Sequence, residues 1–260
     1  MKRLLVVALG LGSLVAANAS LADTITWDFT CSSNCNPNTS AYGNNRSFTG
    51  SDASSTVDVG AMANTGGNGN ITIQDAYLAA WDGGLGAYNR DRSAGNDSDA
   101  TNDVDSNEGN APEHALDNNG RYEMALFTFA QMTELTGLEI GWKGDDSDMS
   151  VLAWTGPGAP PSTTGMGWGD LIGAGWSLVG QYADLVTGSW QNINAAGYAS
   201  RYWLVGAHNP VFGGDAFSTG NDYIKISGLT GHSVTVDEPL ALTLMALGLA
   251  GLAARRKRAA

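Results

Sequence analysis

The feature that most narrows the possible folds is punctuation. Between residues 23 and 235 the apolar residues come in short runs, each closed off by glycine, asparagine, aspartate or serine. Helices of ordinary length need a longer uninterrupted 3.6-residue pattern, whereas strands of four to eight residues fit this spacing. Thr24-Ile25-Thr26-Trp27-Asp28-Phe29 alternates, with Ile25, Trp27 and Phe29 on one face. Further strands are expected at 56–63 and 70–81, joined across the turn 64–69, and at 121–130, 135–143, 149–154, 176–182, 200–207, 222–227 and 233–236. Residues 36–55 read as loop, the chain turns irregular after Trp81, 90–112 is almost wholly polar, and 155–169 is a Gly/Pro-rich connection. A short helix is expected at 169–174. About ten short strands of this kind predict an all-β domain, an antiparallel β-sandwich of jelly-roll character. No fixed-period repeat points to a solenoid or propeller.

The two ends differ from this body. Lys2 and Arg3 precede an apolar stretch, 4–16, followed by small residues, the pattern of a secretory signal peptide cut before Asp23 or Ser20. At the other end Asp237-Glu238-Pro239 leads into the uncharged run 240–254, which stops at Arg255-Arg256-Lys257-Arg258. A membrane span takes about 20 helical residues, so this run is short for a permanent anchor, and the cations would hold its end on the cytoplasmic side. The chain therefore divides into a signal peptide (1–22), a β-sandwich domain (23–235) and a C-terminal segment of motif, hydrophobic helix and basic end (236–260). All 26 acidic residues lie between Asp23 and Glu238, and with only seven of the 13 basic ones there, that stretch carries a net charge of −19. Such a surface repels phosphate backbones and excludes nucleic acid as a partner, while it suits an exported protein that collects divalent cations.

The order of motif, short helix and arginine cluster resembles the PEP-CTERM sorting signal of exosortase-dependent proteins in Gram-negative bacteria, with Asp237 standing where that motif has its first proline. Trp81-Asp82-Gly83-Gly84-Leu85-Gly86, Pro112-Glu113-His114-Ala115-Leu116-Asp117-Asn118, Gly141-Trp142 and Asp146-Ser147-Asp148-Met149-Ser150-Val151-Leu152 are similar to recurrent blocks of one group of such surface proteins. The resemblance implies transient anchoring in the inner membrane and cleavage near the motif by an exosortase-like membrane enzyme. It also implies delivery to the cell surface or extracellular matrix, and it carries no catalytic residue.

Within the body, Cys31 and Cys35 read as a disulfide, because an exported chain with an even count of nearby cysteines forms one. A zinc site would need four ligands, and neither cysteine has a histidine nearby. Asp97, Asp99, Thr101, Asp103, Asp105 and Glu108 fall at calcium-loop positions 1, 3, 5, 7, 9 and 12. Asn102 takes the place of the loop glycine and no amphipathic helices flank it, so the alternatives are a calcium site in a β-domain loop and a solvated acidic loop. Asp145, Asp146 and Asp148 form a second calcium candidate, against a turn whose carboxylates cap backbone amides. His114 with Glu113 and Asp117 offers a metal or acid/base site, against a histidine that satisfies a local hydrogen bond. Gly175-Trp176-Ser177-Leu178-Val179 lacks the closing glycine of a nucleophile elbow. Six tryptophans, at 142, 154, 168, 176, 190 and 203, can stack on sugar rings or fill a core, and Trp168 in its Gly-rich loop is expected to be the exposed one. The expectation is an exported, non-enzymatic protein with a structural or adhesive role in exopolysaccharide or biofilm matrix. A secreted carbohydrate-binding module and a secreted hydrolase with paired carboxylates are the alternatives.

Overall fold

The computed structural model describes residues 23–32, 42–66, 72–90, 112, 114–213 and 217–234. They build an all-β domain, as the spacing of apolar runs implies. Its strands are β1 (Ile25–Asp28), β2 (Arg46–Thr49), β3 (Thr56–Gly66), β4 (Thr72–Trp81), β5 (Gly84–Tyr88) and β6 (Leu116–Asp117). They continue with β7 (Glu123–Lys143), β8 (Met149–Trp154), β9 (Trp176–Tyr182), β10 (Trp190–Asn192), β11 (Ser200–Ala207) and β12 (Tyr223–Ser233). One short helix, α1 (Asp170–Ala174), sits where the sequence places it, and a 3-10 turn spans Pro210–Phe212. Among the described residues no helix is long and apolar enough to cross a membrane. The segments 1–22 and 236–260 lie outside the described residues.

All twelve strands belong to one hydrogen-bonded sheet in the order β1-β12-β5-β4-β3-β7-β11-β8-β9, with β2 on β3, β6 on β12 and β10 on β7. A further pairing of β12 with β7 closes a ring through β7, β3, β4, β5 and β12. Strand β7 makes this possible, because its first half pairs with β3 and β11 while its second half pairs with β12 and β10. The expected break between 121–130 and 135–143 does not exist. Ala130 and Gln131 are exposed and polar neighbours follow, but no glycine or proline stops the extended backbone there. The strand changes partners at that point instead of ending.

Three other expectations change. The gap between 222–227 and 233–236 is filled, because Gly228 and Gly231 lie inside β12 and serve close packing: a Cβ at Gly231 would meet the Glu134 carbonyl oxygen. Residues 84–88, expected to be irregular, form β5. Gly84 has φ +109, and a Cβ there would meet the Ile226 carbonyl oxygen, so its glycine lets the hairpin close against β12. Arg46–Thr49 pairs with β3 although residues 36–55 read as loop.

The alternation of inward and outward residues builds two cores, one on each face of β7, β8 and β11. The main core takes Trp27, Phe29, Phe127, Phe129, Trp203 and Ile226, with Trp27 edge-on to Phe129 at 4.9 Å between centroids. The second core uses the opposite face, with Met124, Leu152, Trp154, Trp176 and Leu204 covered by the 155–175 segment and the 3-10 turn. Trp168 belongs there, only 4% exposed and edge-on to Phe212, which overturns its expected exposure. The Gly-rich loop folds back on the sheet, and burying an indole is worth more than leaving it in water.

Candidate metal centre

The turn from β7 to β8 runs through Gly144-Asp145-Asp146-Ser147-Asp148, and carboxylates two residues apart in extended chain point to the same side. Asp146 forms an isolated parallel bridge with Asp222, the residue immediately before β12. One carboxylate oxygen from each of Asp146, Asp148 and Asp222 lies within 4.8 Å of the others. Asp222 is fully buried and Asp148 nearly so, at 3% exposure. Asp145 is exposed and does not join them.

Each carboxylate is held by neutral donors. Asp222 Oδ1 accepts the Asp148 N–H at 2.7 Å, and its Oδ2 accepts the Asn118 amide at 2.6 Å. The Asn118 side chain is fixed in turn, since its Oδ1 accepts the N–H groups of Gly220 and Asp222. Asp148 Oδ1 accepts the Asp184 N–H at 2.8 Å, and Asp184 takes φ +51 there, a left-handed backbone that few non-glycine residues adopt. Asp146 Oδ2 accepts the Ser218 hydroxyl and the Asn221 amide. Among the described residues no lysine or arginine pairs with any of the three. Lys143, at the end of β7, donates to the Ser147 hydroxyl at 3.3 Å.

Burial pushes the Asp222 carboxyl up to about 7, reinforced by the neighbouring Asp148 and Asp146 charges. Burial raises Asp148 as well, while the Asp184 N–H works against that rise. At an effective dielectric of 20, two ionised carboxylates about 4.8 Å apart repel by roughly 3–4 kcal/mol, so full ionisation of the trio calls for a cation. The donor set is all oxygen, which suits a hard ion such as calcium or magnesium over zinc. His208 lies beside the trio: its N–H donates to the Asp148 carbonyl, its ring feels the Asp148 charge, and both ring nitrogens are buried without a hydrogen-bond partner. Burial holds that imidazole below its usual range.

The structure thus joins two residues of the second calcium candidate, Asp146 and Asp148, to Asp222, which carried no signal in sequence beyond an aspartate at the foot of an alternating strand. The first candidate, Asp97, Asp99, Asp103, Asp105 and Glu108, lies outside the described residues, as do Asp237, Glu238 and Pro239 and the basic run Arg255, Arg256, Lys257 and Arg258. Cys31 packs against the main core and is not a free thiol, and Cys35 lies outside the described residues.

Among the described residues, His114 faces a cation rather than a carboxylate. Its Nε2 is 3.3 Å from Lys225 Nζ, and the ammonium sits over the rings of Trp81 at 4.1 Å and Trp142 at 4.9 Å. Asp117 is buried within β6, and Glu113 lies outside the described residues. The recurrent blocks noted in the sequence therefore converge on two adjoining places: Trp81, His114 and Trp142 surround Lys225, while Asn118, Asp146 and Asp148 meet Asp222. No protein family, curated protein or solved structure matches this chain.

Proposed function

We propose that the chain is an exported, non-enzymatic protein of the cell surface or extracellular matrix, and that a divalent cation, calcium, holds its body together at Asp146, Asp148 and Asp222. The observation that carries the metal reading is a trio of carboxylates within 4.8 Å, two of them buried, with no lysine or arginine paired to them among the described residues. A cation there ties the β7–β8 turn to the start of β12 and, through Asn118, to the end of β6. Its role is structural, because two of the three carboxylates, Asp148 and Asp222, are buried and the third, Asp146, is half-buried. The two clefts of about 480 and 300 Å³ beside Tyr202 are lined by neither Asp148 nor Asp222, which weighs against a hydrolase built on these carboxylates.

The location rests on the terminal segments: a signal peptide cut before Asp23, a Cys31–Cys35 disulfide formed outside the cytoplasm, and sorting through Asp237, Glu238 and Pro239 by an exosortase-like enzyme after transient anchoring by 240–254. The jelly-roll kinship of the body belongs to the same reading. Calorimetric titration of the full chain, stripped with a chelator and held in mild detergent, tests the metal: saturable heat with calcium supports it, and no heat up to millimolar calcium and magnesium overturns it. Intact mass of the protein from its native host tests the sorting. A species running from near Asp23 to near Pro239 is expected, and one retaining 240–258 would sink that part of the proposal.

A further inference from the structure

Among the described residues, the outer face of the second half of the sheet carries one large exposed aromatic. Trp190, in the three-residue edge strand β10, is 46% exposed, and β10 pairs with β7 alone. Its indole extends over two glycines of the sheet, which give it room. A Cβ at Gly228 would come 2.9 Å from Trp190 Cη2, and a Cβ at Gly137 would come 3.4 Å from Cε3. The indole therefore reaches over the bare backbone of β7 and β12 with nearly half of the residue open to water.

The register supplies its neighbours. Trp190 is opposite Glu139, Glu139 is opposite Gly228, and Gly228 is opposite Asp28, so the four residues form one row across β10, β7, β12 and β1. Residues directly opposite one another share a face, and the inward positions beside this row are Trp27, Leu138 and Leu229. Glu139 thus lies between Trp190 and Gly228 in the row, and Asp28 lies just beyond Gly228. Glu139 Oε2 accepts the Ser227 hydroxyl at 3.1 Å, and Asp28 Oδ1 accepts the N–H and hydroxyl of Thr30, while the second oxygen of each has no partner among the described residues. The histidine further along, His232, is already paired with Glu134 at 3.3 Å.

A flat aromatic face takes the apolar C–H face of a pyranose ring, and two carboxylates in the same row, each with an oxygen unpartnered among the described residues, select positive charge. We infer that Trp190, Glu139 and Asp28 form a binding site for a hexosamine polysaccharide with free amines, one ring stacking on Trp190 and its ammonium pairing with Glu139 or Asp28. An ammonium held over the exposed indole face is also attracted by the π system. Polyuronates are excluded by the same carboxylates. This assignment names the matrix polymer left open above, and it rests on the extracellular reading only for where the polymer is met.

The test is calorimetry of the full chain in mild detergent with saturating calcium against three probes: a glucosamine oligomer, an N-acetylglucosamine oligomer and a galacturonate oligomer. Binding of the first is expected, with weaker or no binding of the second and none of the third. Trp190→Ala should weaken it about tenfold or more, Trp190→Phe should weaken it less, and Glu139→Gln should weaken it and flatten its salt dependence, with unchanged melting temperatures. No binding of the glucosamine oligomer, or equal binding by Trp190→Ala, overturns the site. Equal affinity for both glucosamine forms, indifferent to Glu139→Gln, overturns the amine assignment. Self-association abolished by Trp190→Ala, with no saccharide bound, would make the face a contact between copies and also overturn the site. None of these results alters the intact-mass outcome, so failure of this site and failure of the sorting reading are separable.

Discussion

Replacing Asp222 by asparagine in metal-free protein isolates the electrostatic cost of the trio. A carboxyl that sits at about 7 in the folded state and 3.8 when unfolded binds its proton more tightly in the fold, so its contribution to stability is lost as the pH rises from 3.8 towards 7. That cost grows by about 2.5 kcal/mol between pH of about 5 and about 7.5. Asparagine abolishes the titration. It also places an NH2 against a donor, because Asn118 Nδ2 and the Asp148 N–H both point at residue 222 and Asn118 cannot flip without losing its bonds from Gly220 and Asp222. The conflict costs about 1–3 kcal/mol at every pH. His114 and His208, both held below the usual imidazole range, destabilise the fold as pH falls, but they act equally in parent and variant and cancel. With chelator present, the melting temperature of the variant relative to the parent should therefore climb by about 5–10 °C between the two pH values. Calcium should raise the parent at the higher pH and leave the variant nearly unmoved. A difference that is flat with pH, or that falls, would refute the account of Asp222 as a buried carboxyl waiting for a counter-charge.

Asp146→Asn removes a ligand that is only half-buried, so calcium affinity measured by calorimetry should drop about tenfold or more while the metal-free melting temperature stays within a few degrees. Phe127→Ala empties the centre of the main core and should cost about 3–5 kcal/mol in urea unfolding, whereas Trp190→Ala on the surface should stay within about 0.5 kcal/mol. Equal costs would mean that the main core lies elsewhere. Gly228→Val drives a side chain into the underside of the Trp190 ring and should both destabilise by about 1–3 kcal/mol and shift tryptophan emission to the red; an unshifted spectrum would show that the indole does not rest on β12.

Strands bounded by turn residues on both sides could be read directly, as with 149–154, 176–182 and 200–207, because each one's extent is a local property. What could not be read is where a strand changes partner. The polar stretch after Ala130 in β7 looks like a connection because its outward side chains are exposed, while its backbone stays paired to different strands on either side. Arg46–Thr49 was hidden for the opposite reason, since a single phenylalanine cannot establish alternation. At the candidate metal centre, Asp146 and Asp148 stood out by their spacing, but Asp222 and Asn118 arrive from segments far away in the chain, and only the fold brings them together. The tryptophans show the same limit: the glycines flanking Trp168 suggested exposure and accompany burial, while the glycines that expose Trp190 are on β7 and β12.

The first described strand is hydrogen-bonded to the last, with Ile25 opposite Gly231 and Asp28 opposite Gly228. Strand β12 also completes the ring with β7 and β5, so the ring cannot close until residues 224–226 are available. Folding must therefore wait for nearly the whole chain, and pairings of such long sequence separation form slowly. Until then the second half of β7 shows Leu135, Leu138 and Ile140 with an unpaired edge, the kind of surface that aggregates. The glycines of β12 make the final strand easy to seat, and the time before it arrives is when this chain is most in need of protection.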